Sequence, residues 1–252
     1  MQIDLSGKAI LVTGASRGIG QAVATTLAQC GATVAIHYHS QQETAEALAQ
    51  SLGQGARAFQ ANLAQPSEVA HLFDTVVDTL GPLHGIVNNA GIALSTPLDT
   101  EGEAWLETWQ RTLAVNTTAV GILCKKAVAH FIDQGGGCIV NIASRASFRG
   151  DTPEYLAYAA SKAGVVAITR SLARNFGKQN IKAFDIAPGF TRTDMAQDFM
   201  EEYGEDYALN DIALGQLTEP QDIAPTVAFL LSGLADHATG TTIHINAGSY
   251  VH

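Results

Sequence analysis

Thr13-Gly14-Ala15-Ser16-Arg17-Gly18-Ile19-Gly20 joins a short apolar run, Ala9 to Val12, to an alanine-rich amphipathic run, Gln21 to Gln29. That order predicts strand, glycine turn and helix. Bare backbone N–H groups and a positive helix N-terminus then face a phosphate, and glycine is needed where a Cβ would block the chain or hold a diphosphate away. The glycines at 14, 18 and 20 are spaced G-x-x-x-G-x-G, not the G-x-G-x-x-G of the common dinucleotide fingerprint. A nucleotide pyrophosphate is the natural occupant. A tight turn without a ligand needs the same glycines, so the rest of the chain has to decide.

Apolar, β-branched runs recur at 8–13, 33–37, 57–61, 85–89, 137–143, 181–187 and 241–246, with helical periodicity in almost every gap. This alternation predicts an α/β, doubly wound (Rossmann) fold: a seven-stranded parallel sheet with helices on both faces, right-handed crossovers and ligands at the carboxyl ends of the strands. The 252 residues, 46% hydrophobic and 15% charged, hold neither linker nor solenoid repeat, so residues 1–252 read as one domain.

Composition excludes several classes. No run approaches the length of a membrane span and no basic, apolar leader opens the chain, which predicts a cytoplasmic protein without membrane contact. All 14 Lys and Arg lie in residues 1–192 together with 14 of the 24 acids, so the net charge of −10 falls wholly in residues 193–252 and nucleic-acid binding is not expected. Cys30, Cys124 and Cys138 lack C-x-x-C spacing and read as reduced thiols, buried for Cys30 and Cys138. His37 and His39 share a strand face without a third ligand, which predicts a rim position and no metal site.

Along the sheet edge, His37-Tyr38-His39-Ser40-Gln41-Gln42 ends the second strand without the acid that would hold a ribose 2′-OH. Arg17, with no carboxylate opposite, then favours a 2′-phosphate, hence NADP(H) over NAD(H); the alternative is a solvated arginine. Asn62-Leu63 and Asn88-Asn89-Ala90-Gly91 close the next two strands, either lining a cofactor crevice or satisfying a turn. Trp105 and Trp109 share a helix face that suits core or interface, and Asn116, on the same helix, is polar inside an apolar stretch. Ser144 ends the fifth strand. Thr152-Pro153 then starts a helix, Thr as N-cap, that sets Tyr158 and Lys162 on one face, and Pro188-Gly189-Phe190-Thr191-Arg192-Thr193 leaves the sixth strand.

Taken in order, Gly14 to Gly20, Asn88-Asn89-Ala90-Gly91, Asn116, Ser144, Tyr158-x-x-x-Lys162, Pro188-Gly189 with Thr193, and Thr239-Gly240 followed by Ile245-Asn246-Ala247-Gly248 resemble the short-chain dehydrogenase/reductase family over nearly the whole chain. Within it the sequence looks most like the 3-oxoacyl-(acyl-carrier-protein) reductase type. The resemblance implies catalytic roles for Asn116, Ser144, Tyr158 and Lys162: Tyr as acid/base at the carbonyl, Lys on the nicotinamide ribose and lowering the Tyr pKa, Ser on the substrate oxygen, and Asn holding a water in the proton relay. It implies cofactor contacts for Gly14, Ser16, Arg17, Gly18, Ile19, Gly20, His37, Asn62, Leu63, Asn89, Ala90, Gly91, Tyr158, Lys162, Pro188, Gly189, Thr191 and Thr193. Asn62 stands where the family usually has Asp, Ala247 where it has Gly, and the loop from Ser144 to Tyr158 is slightly long. Little basic surface is offered to an acidic acyl carrier protein.

The expected activity is hydride transfer between NADP(H) and a ketone or secondary alcohol, with a 3-oxoacyl thioester or related ketone as substrate. A sugar or secondary-alcohol dehydrogenase of the same family is the rival, and a non-catalytic nucleotide-binding protein the remote one. A homotetramer is implied by the family and by Trp105 and Trp109. Residues 194–215 read as a substrate lid carrying Asp194, Asp198, Glu201, Glu202, Glu205, Asp206 and Asp211, which Arg145 and Arg149 either neutralise on closure or leave free to bind an anionic substrate.

Overall fold

The computed structural model describes residues 2–196, 204 and 209–251. Seven strands, β1 (Ala9–Val12), β2 (Thr33–Tyr38), β3 (Arg57–Gln60), β4 (Leu83–Asn88), β5 (Gly137–Ile142), β6 (Ile181–Pro188) and β7 (Thr242–Ile245), form one sheet in the order β3-β2-β1-β4-β5-β6-β7. All six pairings are parallel. The order reverses between β1 and β4, so the carboxyl ends of those two strands open a crevice at the switch point.

The central strands β1, β4 and β5 are buried on both faces, which is why they read as apolar runs rather than as alternating ones. On one face α1 (Gly18–Gln29), α2 (Gln42–Leu52) and Pro220–Leu231 pack Val23, Leu27, Leu48, Val227 and Leu231 against Ile10, Val12, Ile36 and Val140. On the other, α3 (Pro66–Leu80), Ala119–Gln134 and Leu156–Phe176 pack Phe73, Val76, Leu123, Phe131 and Val166 against Leu11, Ile86 and Ile139. Among the described residues, α4 (Gly102–Leu113), α5 (Ala119–Gln134), α6 (Ala146–Arg149), α7 (Leu156–Phe176) and α8 (Pro220–Leu231) follow α3 in chain order.

Asn116 is on the continuous helical run of Trp105 and Trp109, as expected, but within a π turn, Ala114–Thr118, between α4 and α5, and it is fully buried. Two local expectations are corrected. Thr152 makes no side-chain cap; it precedes a short 3₁₀ turn, Pro153–Tyr155, and α7 begins only at Leu156. All three cysteines are free thiols, but Cys30, just past the end of α1, is only half-buried. Among the described residues no helix is long and apolar enough to cross a membrane.

Gly137 opens β5 against the fully buried Phe131 ring, where an added Cβ would lie 2.3 to 2.5 Å from ring atoms. Gly137→Ala is expected to lower unfolding stability by about 1–3 kcal/mol through overpacking, read from the urea midpoint.

Candidate active site

The glycine turn is fixed from three sides. Gly14 N–H donates to His37 Nδ1 (3.0 Å), and Nε2 of the same ring meets the Ala61 carbonyl (3.1 Å), so one neutral imidazole ties the turn to the ends of β2 and β3. Asn89 Nδ2 donates to the Thr13 and Gly14 carbonyls (2.9 and 3.1 Å), while Thr13 Oγ1 accepts from the N–H groups of Asn89 and Ala90 (2.9 and 3.0 Å). Gly14 and Gly18 take φ of +61° and +55°, and a Cβ on Gly20 would lie 2.3 Å from the Gly14 carbonyl oxygen. Each glycine is therefore required by the backbone. His37 is fully buried rather than at a rim; burial pushes its pKa down to about 4 and keeps the ring the neutral acceptor that Gly14 needs.

A cavity of about 900 Å³ runs from this turn along the carboxyl edge to Tyr158. Of the residues expected to bind cofactor or act in catalysis, all line it except Gly20, which packs beneath the turn, and Asn116. Sequence reasoning missed Ser40, Gln41, Ala64 and Gln65 at one end and Arg111, Asp151, Tyr155 and Phe190 near Tyr158; only the strand-end positions of the first four carried any signal. Arg17 is not unopposed: its Nη1 lies 2.7 Å from Asp194, with both side chains largely exposed. Such a pair is worth little in water and exchanges readily for a phosphate.

Tyr158, Lys162 and Ser161 share the first turns of α7. Lys162 is buried and donates from Nζ to the Ile142 carbonyl (2.7 Å); burial lowers its pKa to about 8, opposed by the charge of Asp185. Gly91 makes room for it, since a Cβ there would lie 3.2 Å from Nζ and 3.4 Å from Asn116 Oδ1. Ser144 lies two residues beyond β5, accepts from Ala146 N–H (3.1 Å) and lines the cavity beside Tyr158. Burial raises the Tyr158 phenol above its ordinary value, while Ser144 and the Arg145 charge pull it back. The phenol is thus held in its protonated form, able to donate. Asn116 is committed to the protein: Oδ1 accepts from Ile92 N–H (2.9 Å), and Nδ2 donates to the Ile92 carbonyl (2.8 Å) and Ser161 Oγ (3.0 Å). Its side chain pins the loop after β4 to α7.

Above Ser144, Asp211 bridges two arginines, with Arg145 Nη1 at 2.5 Å and Arg149 Nη1 at 2.8 Å from Oδ2. Arg145 is buried and its guanidinium lies 4.2 Å over the Phe190 ring. Of the acids assigned to the lid, Asp198, Glu201, Glu202, Glu205 and Asp206 lie outside the described residues.

The family model described as Enoyl-(Acyl carrier protein) reductase matches residues 14–250. A relative named 3-oxoacyl-(acyl-carrier-protein) reductase FabG, from Staphylococcus aureus, is 38% identical over 97% of this chain and 98% of its own. The chain belongs to the short-chain dehydrogenase/reductase family. It is an oxidoreductase of the kind that acts on CH–OH or carbonyl groups. Among solved structures, a short-chain dehydrogenase from Burkholderia cenocepacia in complex with NADP superposes with a TM-score of 0.89 at 35% identity, covering 97% of this chain and 98% of its own. A candidate NAD(P)-dependent gluconate 5-dehydrogenase from Beutenbergia cavernae, with bound NADP, does so at 0.90 and 29% identity, covering 99% of each.

The family's dinucleotide fits the residues present: Gly14, Ser16, Gly18 and Ile19 line the cavity where α1 begins, and the cavity continues to Lys162.

His37 supplies a stability test. Its folded pKa of about 4 lies below the ordinary imidazole value of 6.5, so between these values the unfolded chain binds more protons and native stability is lost as pH falls through that window. His37→Gln, which keeps an acceptor and a donor, is expected to remove this loss. The difference between variant and wild-type melting temperatures should shift in the variant's favour from about pH 7 to about pH 4.

Proposed function

We propose that this protein interconverts a ketone and its secondary alcohol using NADP(H), with Tyr158 as acid/base, Ser144 holding the substrate oxygen and Lys162 the nicotinamide ribose. The observation that carries this reading is the convergence of Ser144, Tyr158 and the buried Lys162 ammonium at one end of a cavity whose other end is the glycine cradle. The chemistry supplied by bound NADP(H) is hydride transfer at the carbonyl carbon. In reduction, Tyr158 Oη gives its proton to the nascent alkoxide while Ser144 keeps the oxygen in place; the reverse step returns the proton to the phenolate. Lys162 stabilises that phenolate by charge. Preference for NADP(H) is supported by the absence of an acid from Ile36 to Gln42, by an Arg17 that can exchange Asp194 for a phosphate, and by the NADP-bound relatives.

The substrate class follows from the Asp211 bridge. Arg145 and Arg149 already hold a carboxylate from the chain itself, so an anionic substrate has to displace it, whereas a neutral ketone or short 3-oxoacyl thioester does not. The same occupancy leaves these arginines unsuited to docking an acyl carrier protein. A homotetramer is supported by α4, which buries only Thr112 in the single chain while its stacked Trp105 and Trp109 (5.1 Å between centroids) remain half-buried beside exposed Leu106.

Tyr158→Phe is expected to bind NADPH as wild type does and to lose about 10²- to 10⁴-fold in kcat on any ketone turned over; a variant within a few-fold of wild type excludes the role. Asp211→Asn is expected to raise KM for neutral ketones several-fold and to flatten its rise with salt near 0.1 M, where the Debye length is about 10 Å, without changing NADPH affinity. A panel of 3-oxoacyl thioesters, neutral ketones and sugar acids assayed with both cofactors separates the ketone reductase from a sugar-acid dehydrogenase.

A further inference from the structure

One buried row of polar side chains plays no part in the chemistry above. Asn88, Asn141, Asp185 and Thr242 are register neighbours on β4, β5, β6 and β7, so they cross the sheet at one level. Each of the first three is within 2% of complete burial. Asn88 Nδ2 donates to Asn141 Oδ1 (2.7 Å), Asn141 Nδ2 to Thr169 Oγ1 (2.7 Å), and Thr169 Oγ1 to Asp185 Oδ1 (2.6 Å); from the other side Thr242 Oγ1 reaches Asp185 Oδ2 (3.5 Å). Every donor in the row points toward Asp185, the arrangement that stabilises a carboxylate rather than a carboxylic acid. Thr169 stands two turns along α7 from Lys162, on the same face, and Lys162 Nζ is bonded to the carbonyl of Ile142, the residue after Asn141. A buried charge without an opposite charge is strongly disfavoured, and the row supplies one for Lys162.

We propose that Asp185 is a positioning residue for the reaction, the buried counter-charge that holds the Lys162 ammonium in its protonated form beneath the site. The proposal rests on the role given to Lys162 above. The charged and titratable groups around the pair are Arg170 of α7, largely exposed, whose charge also favours the carboxylate, and Cys124 of α5, whose thiol burial pushes up to about 12 and so keeps neutral; Tyr158 lies one turn before Lys162 on α7. Burial raises Asp185 to about 7 and lowers Lys162 to about 8. Asp185 therefore ionises as pH rises through about 7, before Lys162 would lose its proton, and its charge then retains that proton.

The test uses Asp185→Asn, which keeps the shape and the acceptor for Thr169, and Thr169→Val, which removes the donor if the first variant fails to fold. In ketone reduction with NADPH, wild type and Asp185→Asn are expected to converge below about pH 6, where Asp185 is protonated, and to diverge above it, the alkaline limb of the variant lying about one pH unit lower. A uniform loss at every pH would mark a structural role and overturn the proposal. A double-mutant cycle of Asp185→Asn with Lys162→Met, read in urea unfolding of the protein without cofactor, provides a measure independent of turnover. Coupling of about tenfold in the unfolding constant at about pH 7.5, vanishing at about pH 5, is expected. Additive variants at both pH values overturn the counter-charge. If wild type reduces no ketone while the coupling is present, the proposed reaction fails and the Asp185–Lys162 pairing stands.

Discussion

The Gly14 amide bonded to a neutral His37 is the contact on which the site depends. A helix that starts immediately after a strand must turn its first N–H groups outward, and that turn holds only if its own peptide groups are satisfied from behind. His37 and Asn89 do this from β2 and from the end of β4, the two neighbours of β1, so the cradle is built on the three strands around the switch point. The outward face of the turn is thereby left to a ligand. The apolar layers on both sheet faces serve the same end, keeping water from the imidazole and holding it neutral.

The reacting end follows a different physical rule. Tyr158 and Lys162 sit on one face of α7, and burial pushes both toward their uncharged forms. Neighbouring groups oppose that push: Ser144 and Arg145 for the phenol, Asp185 for the ammonium. Asn116 contributes rigidity, since the π turn drives its amide between the Ile92 backbone and Ser161 and locks the loop after β4 against the catalytic helix.

Patterns of short range were legible in the sequence. Seven apolar runs gave seven strands because the central strands of a parallel sheet covered by helices are buried on both faces, and the glycine spacing marked a turn that no side chain tolerates. Tyr158 and Lys162 could be paired from helical spacing, and the two arginines after Ser144 could be set against an acidic lid from charge alone. Two readings went astray for one reason. His37 at a rim and Arg17 unopposed were each judged from neighbours in sequence, whereas burial by α-helices and the approach of Asp194 from far along the chain decided them.

By itself, then, the sequence determined the α/β class, the glycine turn between β1 and α1, and the family, all carried by periodicity and by residues close together in the chain. Tertiary structure decided which polar groups lost water and which partner each one found. The π turn at Asn116, the choice of Asp211 for both arginines, and the alignment of Asn88, Asn141 and Asp185 with Thr169 leave no local trace, because register between strands and the docking of a helix on a sheet are set by packing over the whole core. Electrostatics in the site is therefore a property of the fold, even where every residue that carries it was visible from the start.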